Sequence, residues 1–433
     1  MKRVVLIIFI LMIIFSWGFV IESGEKNHDK YNLLLENAQN YMEKEIYIEA
    51  LNCYKEALKL SPNDYNIKLN ILNVYKSASM YNSFEQYCQQ LMNENSTDEL
   101  IVMLGDYYVD CNKHDRAIEW YKENLNNAVD KDVIHNKLQS LRGKYDLGYD
   151  YYTYISDFKN GCAVFKKGEK YGILNINGCV VLKAKFEFIN IFDNDKKLRL
   201  APVKLEGEYY YVDKNGFKRL APDNTYEYLG TFSKEGYALV KAKGKYGFVD
   251  RKFNEMHEFY DYATSFNDGV AVVKMDDKYK IINTKFEDVT DNTYDGVKVS
   301  NINYASRCEL LFLNKNGKYL LVDCYGKEIT EPIYDDVDFF VNSLEYAAVK
   351  INGLWGFIDK NGKTVINPTY QNAHSFSCGL APVQIDKLWG YIDKNESVII
   401  EPQFNGAKSF NKNGVGAVLK SSWRTITLKY FEK

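Results

Sequence analysis

The chain has 433 residues, of which 46% are hydrophobic, and its 55 Lys and Arg residues nearly balance its 58 Asp and Glu residues. This composition excludes a disordered chain, a collagen and a polytopic membrane protein, and the length allows two or three packed units. A formal net charge of −3 gives no basic field for phosphate groups, so we expect no nucleic-acid partner.

The first residues carry a membrane-targeting pattern. Lys2 and Arg3 precede an uncharged, mostly apolar run from Val4 to Ile21, which as a helix reaches roughly the hydrocarbon thickness of a bilayer. Its length and the lack of a small-x-small cleavage site favour a retained single-pass anchor in residues 1–25 over a cleaved signal, although cleavage would give a secreted protein. The basic flank predicts that the rest of the chain lies outside the cytoplasm. A buried helix of a soluble domain is the other alternative.

Residues 31–145 show a helical pattern, with apolar residues three and four apart and a break at Pro62. Small and aromatic residues recur around this break. The first copy has Leu34, Ala38, Tyr41, Ala50, Tyr54 and Ala57, and the third has Ile101, Leu104, Gly105, Tyr108, Ala117 and Tyr121. The segment therefore resembles a tetratricopeptide repeat (TPR) array, which implies an α-solenoid of helix pairs. A middle copy over 65–97 matches the pattern less well.

The TPR resemblance also implies a binding surface, because the first helix of each pair lines a concave groove that holds a peptide. The corresponding positions here are Asn32, Leu35, Gln39, Asn66, Leu69, Asn73, Val102, Asp106 and Val109. Acidic residues outnumber the single basic residue Lys76, so the groove is not expected to clamp a C-terminal carboxylate. The alternative is that the helices only space the protein or dimerise it.

From about 150 to 433 one aromatic residue recurs every 33 to 40 residues. The eight positions are Tyr171, Tyr209, Tyr246, Tyr279, Tyr319, Trp355, Trp389 and Trp423. An apolar residue stands eight before each of these aromatics and another three after it, and alternation around the loops predicts a β-hairpin followed by a third short strand. Pro222, Pro332, Pro368 and Pro402 stand thirteen residues after their aromatic and are expected to end that third strand.

Two stretches, residues 354–362 and 388–395, carry a Trp-Gly pair followed by an aromatic residue and Ile-Asp-Lys-Asn. These copies resemble the WG repeat of bacterial proteins. Together with the apolar N-terminal run and the TPR resemblance, this resemblance predicts a multidomain protein, α then β: an N-terminal membrane helix, a TPR α-solenoid, then an all-β array of about eight WG repeats. An open β-solenoid is favoured over a propeller-like ring, because three strands are few for a propeller blade. The glycine is expected to leave room for an aromatic ring of a neighbouring copy.

The recurring aromatics are predicted to form the core of the array. The alternative is a surface that stacks on cell-wall glycan, for which aromatics outside the repeat phase are the candidates. These are Tyr149, Tyr151, Tyr152, Tyr154, Tyr210 and Tyr228. The leading hypothesis is a non-enzymatic, membrane-anchored extracytoplasmic scaffold that binds protein or peptide partners through its repeats.

The sequence offers no set of residues with catalytic or metal-binding spacing. Its five His and eight Cys are scattered, so we expect no catalytic site, metal or cofactor, and an unrecognised hydrolase stays an alternative. Cys308 and Cys324 fall on neighbouring predicted strands and form a candidate disulfide.

Overall fold

A computed structural model describes residues 27–195, 197–223, 225–300, 303–341 and 345–431. The predicted membrane segment, residues 1–25, lies outside the described residues. Over the described ranges, no helix combines the length and the apolar character that a bilayer crossing requires. The chain divides into a helical unit that ends at Leu141 and a β unit that begins at Arg142, so the β unit starts before the predicted end of the helical segment at 145.

Seven helices make up the described part of the helical unit. They are α1 (27–43), α2 (Tyr47–Leu60), α3 (Tyr65–Ser77), α4 (Tyr81–Glu94), α5 (Asp98–Asp110), α6 (His114–Asn124) and α7 (Lys131–Ser140). Asp64 and Asp130 start α3 and α7, each accepting hydrogen bonds from two backbone N–H groups, and Thr97 starts α5 in the same way with one. Such caps satisfy N–H groups that the first helical turn leaves unpaired.

Small residues bring the helices of a pair together, as the repeat pattern predicts. Ala38 and Ala117 are completely buried, and a Cβ atom on Gly105 would collide with the ring of Tyr121. Only glycine at this position lets α5 and α6 approach that closely. The weakly predicted middle copy is also a helix pair, and Phe84 of α4 is fully buried in it.

The described part of the β unit contains eight antiparallel sheets, or blades, which follow one another in the sequence. Blades 1 and 2 have four strands each: β2 (Tyr154–Ile155), β3 (Cys162–Lys167), β4 (Lys170–Asn175), β5 (Val180–Phe186); then β6 (Phe188–Ile189), β7 (Ala201–Leu205), β8 (Glu208–Val212), β9 (Lys218–Leu220). Blades 3 and 4 have β10 (Tyr228–Leu229), β11 (Ala238–Ala242), β12 (Lys245–Val249); then β13 (Tyr262–Ala263), β14 (Val270–Met275), β15 (Lys278–Asn283).

The remaining blades vary this plan. Blades 5 and 6 have β16 (Gly296–Val297), β17 (Ser306–Arg307), β18 (Leu310–Lys315), β19 (Lys318–Asp323); then β20 (Asp336–Val337), β21 (Ala347–Ile351), β22 (Leu354–Ile358), β23 (Thr364–Tyr370). Blades 7 and 8 have β24 (Ala381–Ile385), β25 (Leu388–Ile392), β26 (Val398–Phe404); then β27 (Gly406–Ala407), β28 (Val415–Leu419), β29 (Trp423–Leu428). Blade 8 takes its outer strand from β1 (Tyr145–Leu147), at the start of the unit.

The pairing of the first strand of the unit with its last strand closes the ring. The antiparallel pairing of β1 with β29 places Tyr145 opposite Leu428, and Tyr152 and Trp423 exchange two backbone hydrogen bonds of 2.9 Å. Neighbouring blades share hydrophobic clusters, and one of these clusters joins blade 8 to blade 1. The expected open array is therefore wrong: the β unit is an eight-bladed, propeller-like ring, because its first strand completes its last sheet.

The inner strand of the blades, which lies toward the centre of the ring, was missing from the sequence prediction. In seven blades it is only two residues long, which is too short to show an alternating pattern. The residues that follow these strands meet across the ring, where Lys159 of blade 1 lies 3.4 Å above the ring of Tyr304 in blade 5.

The glycine beside the recurring aromatic makes room inside its own blade and not for a ring of a neighbouring copy: backbone fills the space at Gly356 and Gly390, and the ring of Phe259 fills it at Gly247. A Cβ atom on Gly356 would lie 2.6 Å from the carbonyl oxygen of Ile366 and 2.7 Å from the nitrogen of Pro368. The outer strand bulges here, since the register shifts between the pairs Trp355–Tyr370 and Phe357–Ile366. Pro368 and Pro402 thus lie at bulges inside the third strand instead of ending it, whereas Pro222 follows the end of the third strand at Leu220, as predicted.

Most of the recurring aromatic side chains are partly exposed. All eight are half-buried except Trp355, which is 8% exposed, so they pack between blades but also reach the surface. In four copies a fully buried ring stands two residues later: Tyr211, Phe248, Phe357 and Tyr391. The repeat length of the aromatic core was therefore predicted correctly, but its fully buried rings lie two residues after the predicted positions.

The predicted disulfide is not formed. Cys308 and Cys324 are both free thiols. Cys308 occupies a left-handed turn with φ of 57°, and its Sγ atom contacts the carbonyl oxygen of Phe340 in the next blade at 3.9 Å. The turn therefore directs this thiol toward blade 6 and not toward the paired strand.

Candidate functional site

Two concave surfaces stand out, one in each unit, and the first is a groove on the helices. It encloses about 580 Å³ between α3 and α5. Five of the predicted groove residues line it: Asn66, Leu69, Asn73, Val102 and Asp106. The other predicted residues, Asn32, Leu35, Gln39 and Val109, do not line this pocket. The TPR-derived positions on α3 and all but Val109 of those on α5 thus line one pocket, and those on α1 do not.

Amide side chains dominate one wall of the groove. Asn66, Asn70 and Asn73 lie along α3, three and four residues apart, so they share one helix face. Each amide offers both a donor and an acceptor. Leu69 and Val102 are half-buried and supply apolar surface between the polar groups. This mixture suits a peptide, whose backbone also needs donors and acceptors.

The charges of the groove are largely compensated. Asp106 accepts a hydrogen bond of 2.8 Å from Tyr121 and forms an ion pair of 2.5 Å with Lys137 of α7. Lys76 lies 3.0 Å from Asp110. Lys76 is the one basic side chain among the lining residues of this pocket, and because it already faces Asp110 it is not available to hold a free carboxylate.

The second surface lies at the centre of the ring, where the short inner strands differ between its two halves. Blades 1 to 4 place an aromatic residue first in this strand: Tyr154, Phe188, Tyr228 and Tyr262. Blades 5, 6 and 8 place Gly296, Asp336 and Gly406 there. One half of the ring is thus aromatic at this level, and the other is open or polar.

Ion pairs occupy the second half. Lys298 of blade 5 pairs with Asp336 of blade 6 at 2.6 Å, and Lys408 of blade 8 pairs with Asp157 of blade 1 at 3.1 Å. Burial raises the pKa of Asp157, but Lys408 and the other nearby cations outweigh it and lower the pKa overall. These groups are charged and mutually neutralised.

Blades 6 and 7 share a third polar contact in this half. Asp338 Oδ2 lies 3.0 Å from Nδ1 of His374, and the imidazole stacks on Trp389 at 5.2 Å between ring centres. Burial raises the pKa of Asp338, but the hydrogen bond with His374 and the charge of that ring lower it to about 2. Within the described ranges, no group of three or more His, Cys, Asp or Glu is arranged to hold a metal ion.

A cavity of about 800 Å³ opens against the aromatic half. The four inner-strand aromatics line it together with Tyr171 and Tyr246. Tyr262 donates a hydrogen bond of 3.2 Å to Asn303, and Asn190 bonds to the hydroxyl of Tyr228. These bonds hold the tyrosine rings in fixed orientations around the cavity.

The tyrosines proposed as glycan contacts lie in several places. Tyr154 and Tyr228 line the cavity. Tyr152 is buried, with its ring 4.7 Å from that of Phe165. Tyr149, Tyr151 and Tyr210 are not among the residues that line the cavity, and the first two are exposed large side chains. The structure thus brings together only two of the six residues.

Sequence reasoning missed Phe188, Tyr262 and Asn190 as cavity residues. Their signal was available, because Phe188 and Tyr262 stand 16 to 19 residues after a recurring aromatic, as Tyr228 does. Aligning the copies on that aromatic would have placed an aromatic in blades 2, 3 and 4 and a small or polar residue in later blades.

These features define the class of the protein: a repeat protein in which TPR-type helix pairs precede an eight-bladed, propeller-like ring. The family described as WG containing repeat matches residues 151–171, 171–209, 211–246, 246–279, 326–355, 355–389 and 389–421. These matches cover more than half of the chain. The chain belongs to the WG-repeat family, and a TPR segment precedes its WG repeats.

Similarity to individual proteins is partial. Tetratricopeptide repeat protein 21A of Mus musculus is 29% identical over 111 residues, which is 25% of this chain and 8% of that protein. The chain thus spans about 8% of the length of the curated relatives it matches.

Two solved structures can be compared with the chain. BamB from Moraxella catarrhalis covers 66% of this chain and 95% of its own, with 11% identity and a TM-score of 0.41. Hsv2p of Kluyveromyces lactis covers 56% of this chain and 95% of its own, with 11% identity and a TM-score of 0.36.

Proposed function

We propose that this protein is a non-enzymatic scaffold that binds an extended segment of a partner protein in the groove between α3 and α5. The observation that carries the proposal is the row of Asn66, Asn70 and Asn73 on one helix face beside apolar Leu69 and Val102. The amides match the alternating donors and acceptors of a peptide backbone, and the apolar side chains accept a hydrophobic side chain of the partner.

Binding rather than catalysis also fits the charged half of the ring. There Asp157, Asp336 and Asp338 each lie within ion-pair distance of a basic side chain on a neighbouring blade. Carboxylates fixed in such pairs stabilise blade contacts and leave less freedom for proton transfer to a substrate.

The groove is tested with the full-length protein in mild detergent. Peptides selected from a library of random linear peptides are titrated against the wild type, Leu69→Glu and Val102→Glu. We expect roughly tenfold weaker binding to both variants, as for loss of a central contact. Val129→Glu is the matched control, because Val129 is 92% exposed and outside the groove. Equal affinity for Val102→Glu and wild type, or failure to select any peptide, would reject the groove.

We further propose that residues 1–25 anchor the protein in the membrane with both units outside the cytoplasm. The support is the basic pair Lys2 and Arg3 ahead of the apolar run from Val4 to Ile21. Cys179 provides a natural reporter, since it is an exposed free thiol in the β unit. A maleimide that cannot cross membranes should label it in intact cells and should fail to label Cys179→Ser. Labelling only after lysis would overturn this orientation.

A further inference from the structure

The aromatic half of the ring surrounds the cavity with aromatic side chains, some of which already have a cation partner. In blades 1 and 3 the recurring aromatics Tyr171 and Tyr246 each have a lysine above them, with Lys166 and Lys241 Nζ atoms 5.6 Å and 5.2 Å from the ring centres. These lysines come from the opposite strand of the same hairpin, so each such tyrosine already has a cation partner.

Among the inner aromatics, Tyr154 also has a cation partner, since Lys408 Nζ lies 5.7 Å from its ring centre. The other three pack against rings: Phe188 meets Tyr228 edge to face at 5.7 Å, and Tyr262 meets Tyr246 at 5.3 Å with the rings tilted by 60°. An edge-to-face contact covers a face of only one of its two rings. All four inner rings are half-buried, which means that their remaining surface is accessible.

The polar groups of the cavity are mostly neutral. Among the lining residues, Asn190, Asn303, Ser156 and Ser300 supply amides and hydroxyls. The charged lining groups are Lys166, Lys241 and Glu227. Lys241 lies 3.9 Å from Glu227, and Lys166 donates a hydrogen bond of 2.8 Å to Glu169, so each lysine already faces a carboxylate. The cavity therefore favours an uncharged ligand.

We propose that this cavity binds an oligosaccharide, with sugar rings stacked on Tyr228 and Tyr262 and their hydroxyl groups bonded to the amides of Asn190 and Asn303. Pyranose rings have apolar C–H faces that suit aromatic faces, and hydroxyl edges that suit neutral amides. The tethered tyrosine hydroxyls fix the rings before the ligand arrives, which lowers the entropy cost of binding. A volume of about 800 Å³ is within the range of small-ligand pockets.

The site is tested by calorimetric titration of the full-length protein with two probes, chitotetraose as a neutral sugar and tetragalacturonate as an acidic sugar. We expect saturable binding of at least one probe. Tyr228→Ala and Tyr154→Ala should each weaken it roughly tenfold, as truncation of an aromatic anchor does. Tyr228→Phe should keep most of the affinity, because the ring face is retained.

Tyr325→Ala is the control, since Tyr325 is 82% exposed and outside the cavity. Val102→Glu in the helical groove should leave sugar binding unchanged, which separates this site from the peptide groove. The proposal is overturned if neither sugar binds, or if both Tyr228→Ala and Tyr154→Ala fold with unchanged affinity. Binding of a Phe-rich peptide in place of the sugars would also overturn it, by assigning the cavity to protein partners.

Discussion

Closure of the ring by β1 makes a quantitative prediction about the last blade. Ile426 in blade 8 and Ile358 in blade 6 occupy equivalent positions, three residues after Trp423 and Trp355, and both are 0% exposed. In an open array the final copy would have one neighbour and would fray. In a closed ring it has two neighbours, and the two isoleucines should contribute equally.

The perturbation is a matched pair, Ile426→Ala and Ile358→Ala. Each removes a buried aliphatic side chain, with an expected loss of about 2–5 kcal/mol in the free energy of unfolding of the β unit. That loss corresponds to a roughly 30- to 4,000-fold larger unfolding constant. Because blades of a closed ring unfold together, we expect the slowest amides of every blade to exchange faster by a similar factor in both variants.

The assay is hydrogen exchange followed by mass spectrometry, which resolves β1 and β29 from the other strands. Exchange in the helical unit serves as the internal control, since neither substitution lies in it. The reasoning is refuted if Ile426→Ala accelerates exchange only in blade 8 and β1 while Ile358→Ala affects the whole ring. That pattern would mean that β1 does not close the ring in solution.

Two further predictions concern local packing and pH. Gly390→Ala should lower the stability of the β unit by about 1–3 kcal/mol in thermal melts, because the added Cβ atom would lie 2.5 Å from the carbonyl oxygen of Ile400. Gly247→Ala should cost less in the same melts, because its Cβ atom meets only a side-chain ring, 2.7 Å away. The depressed pKa of Asp338 implies a stabilisation that is present above the ordinary value of 3.8 and is lost as the pH falls toward about 2. Asp338→Asn should therefore lose stability less steeply than wild type across that pH range in acid titrations. Equal slopes for wild type and Asp338→Asn would contradict this assignment.

Much of the local structure could be predicted because the repeat signals are local. The apolar residues eight before and three after the recurring aromatic are cross-strand partners, as Ala347 and Ile358 show in blade 6. Two strands joined by a tight turn have one register that buries both apolar faces. The same holds for the helix pairs, whose small residues mark where helices approach.

The prediction was weaker where a strand is short or its neighbour is remote. The two-residue inner strands carry no periodic signal, so the fourth strand was missed and the array was expected to stay open. The role of the glycine beside Trp355 was also misjudged, since its neighbour is the backbone at Ile366 in a bulge that alternation does not reveal.

The sequence by itself determined the number of copies, the hairpin register and the TPR-type helix pairs, because each of these depends on residues close together in the chain. Only the tertiary structure decided that β1 completes blade 8 and that Tyr154, Phe188, Tyr228 and Tyr262 face one cavity. Those arrangements join residues from distant copies, and no local pattern specifies them, since they follow from how eight twisted sheets close around a common centre.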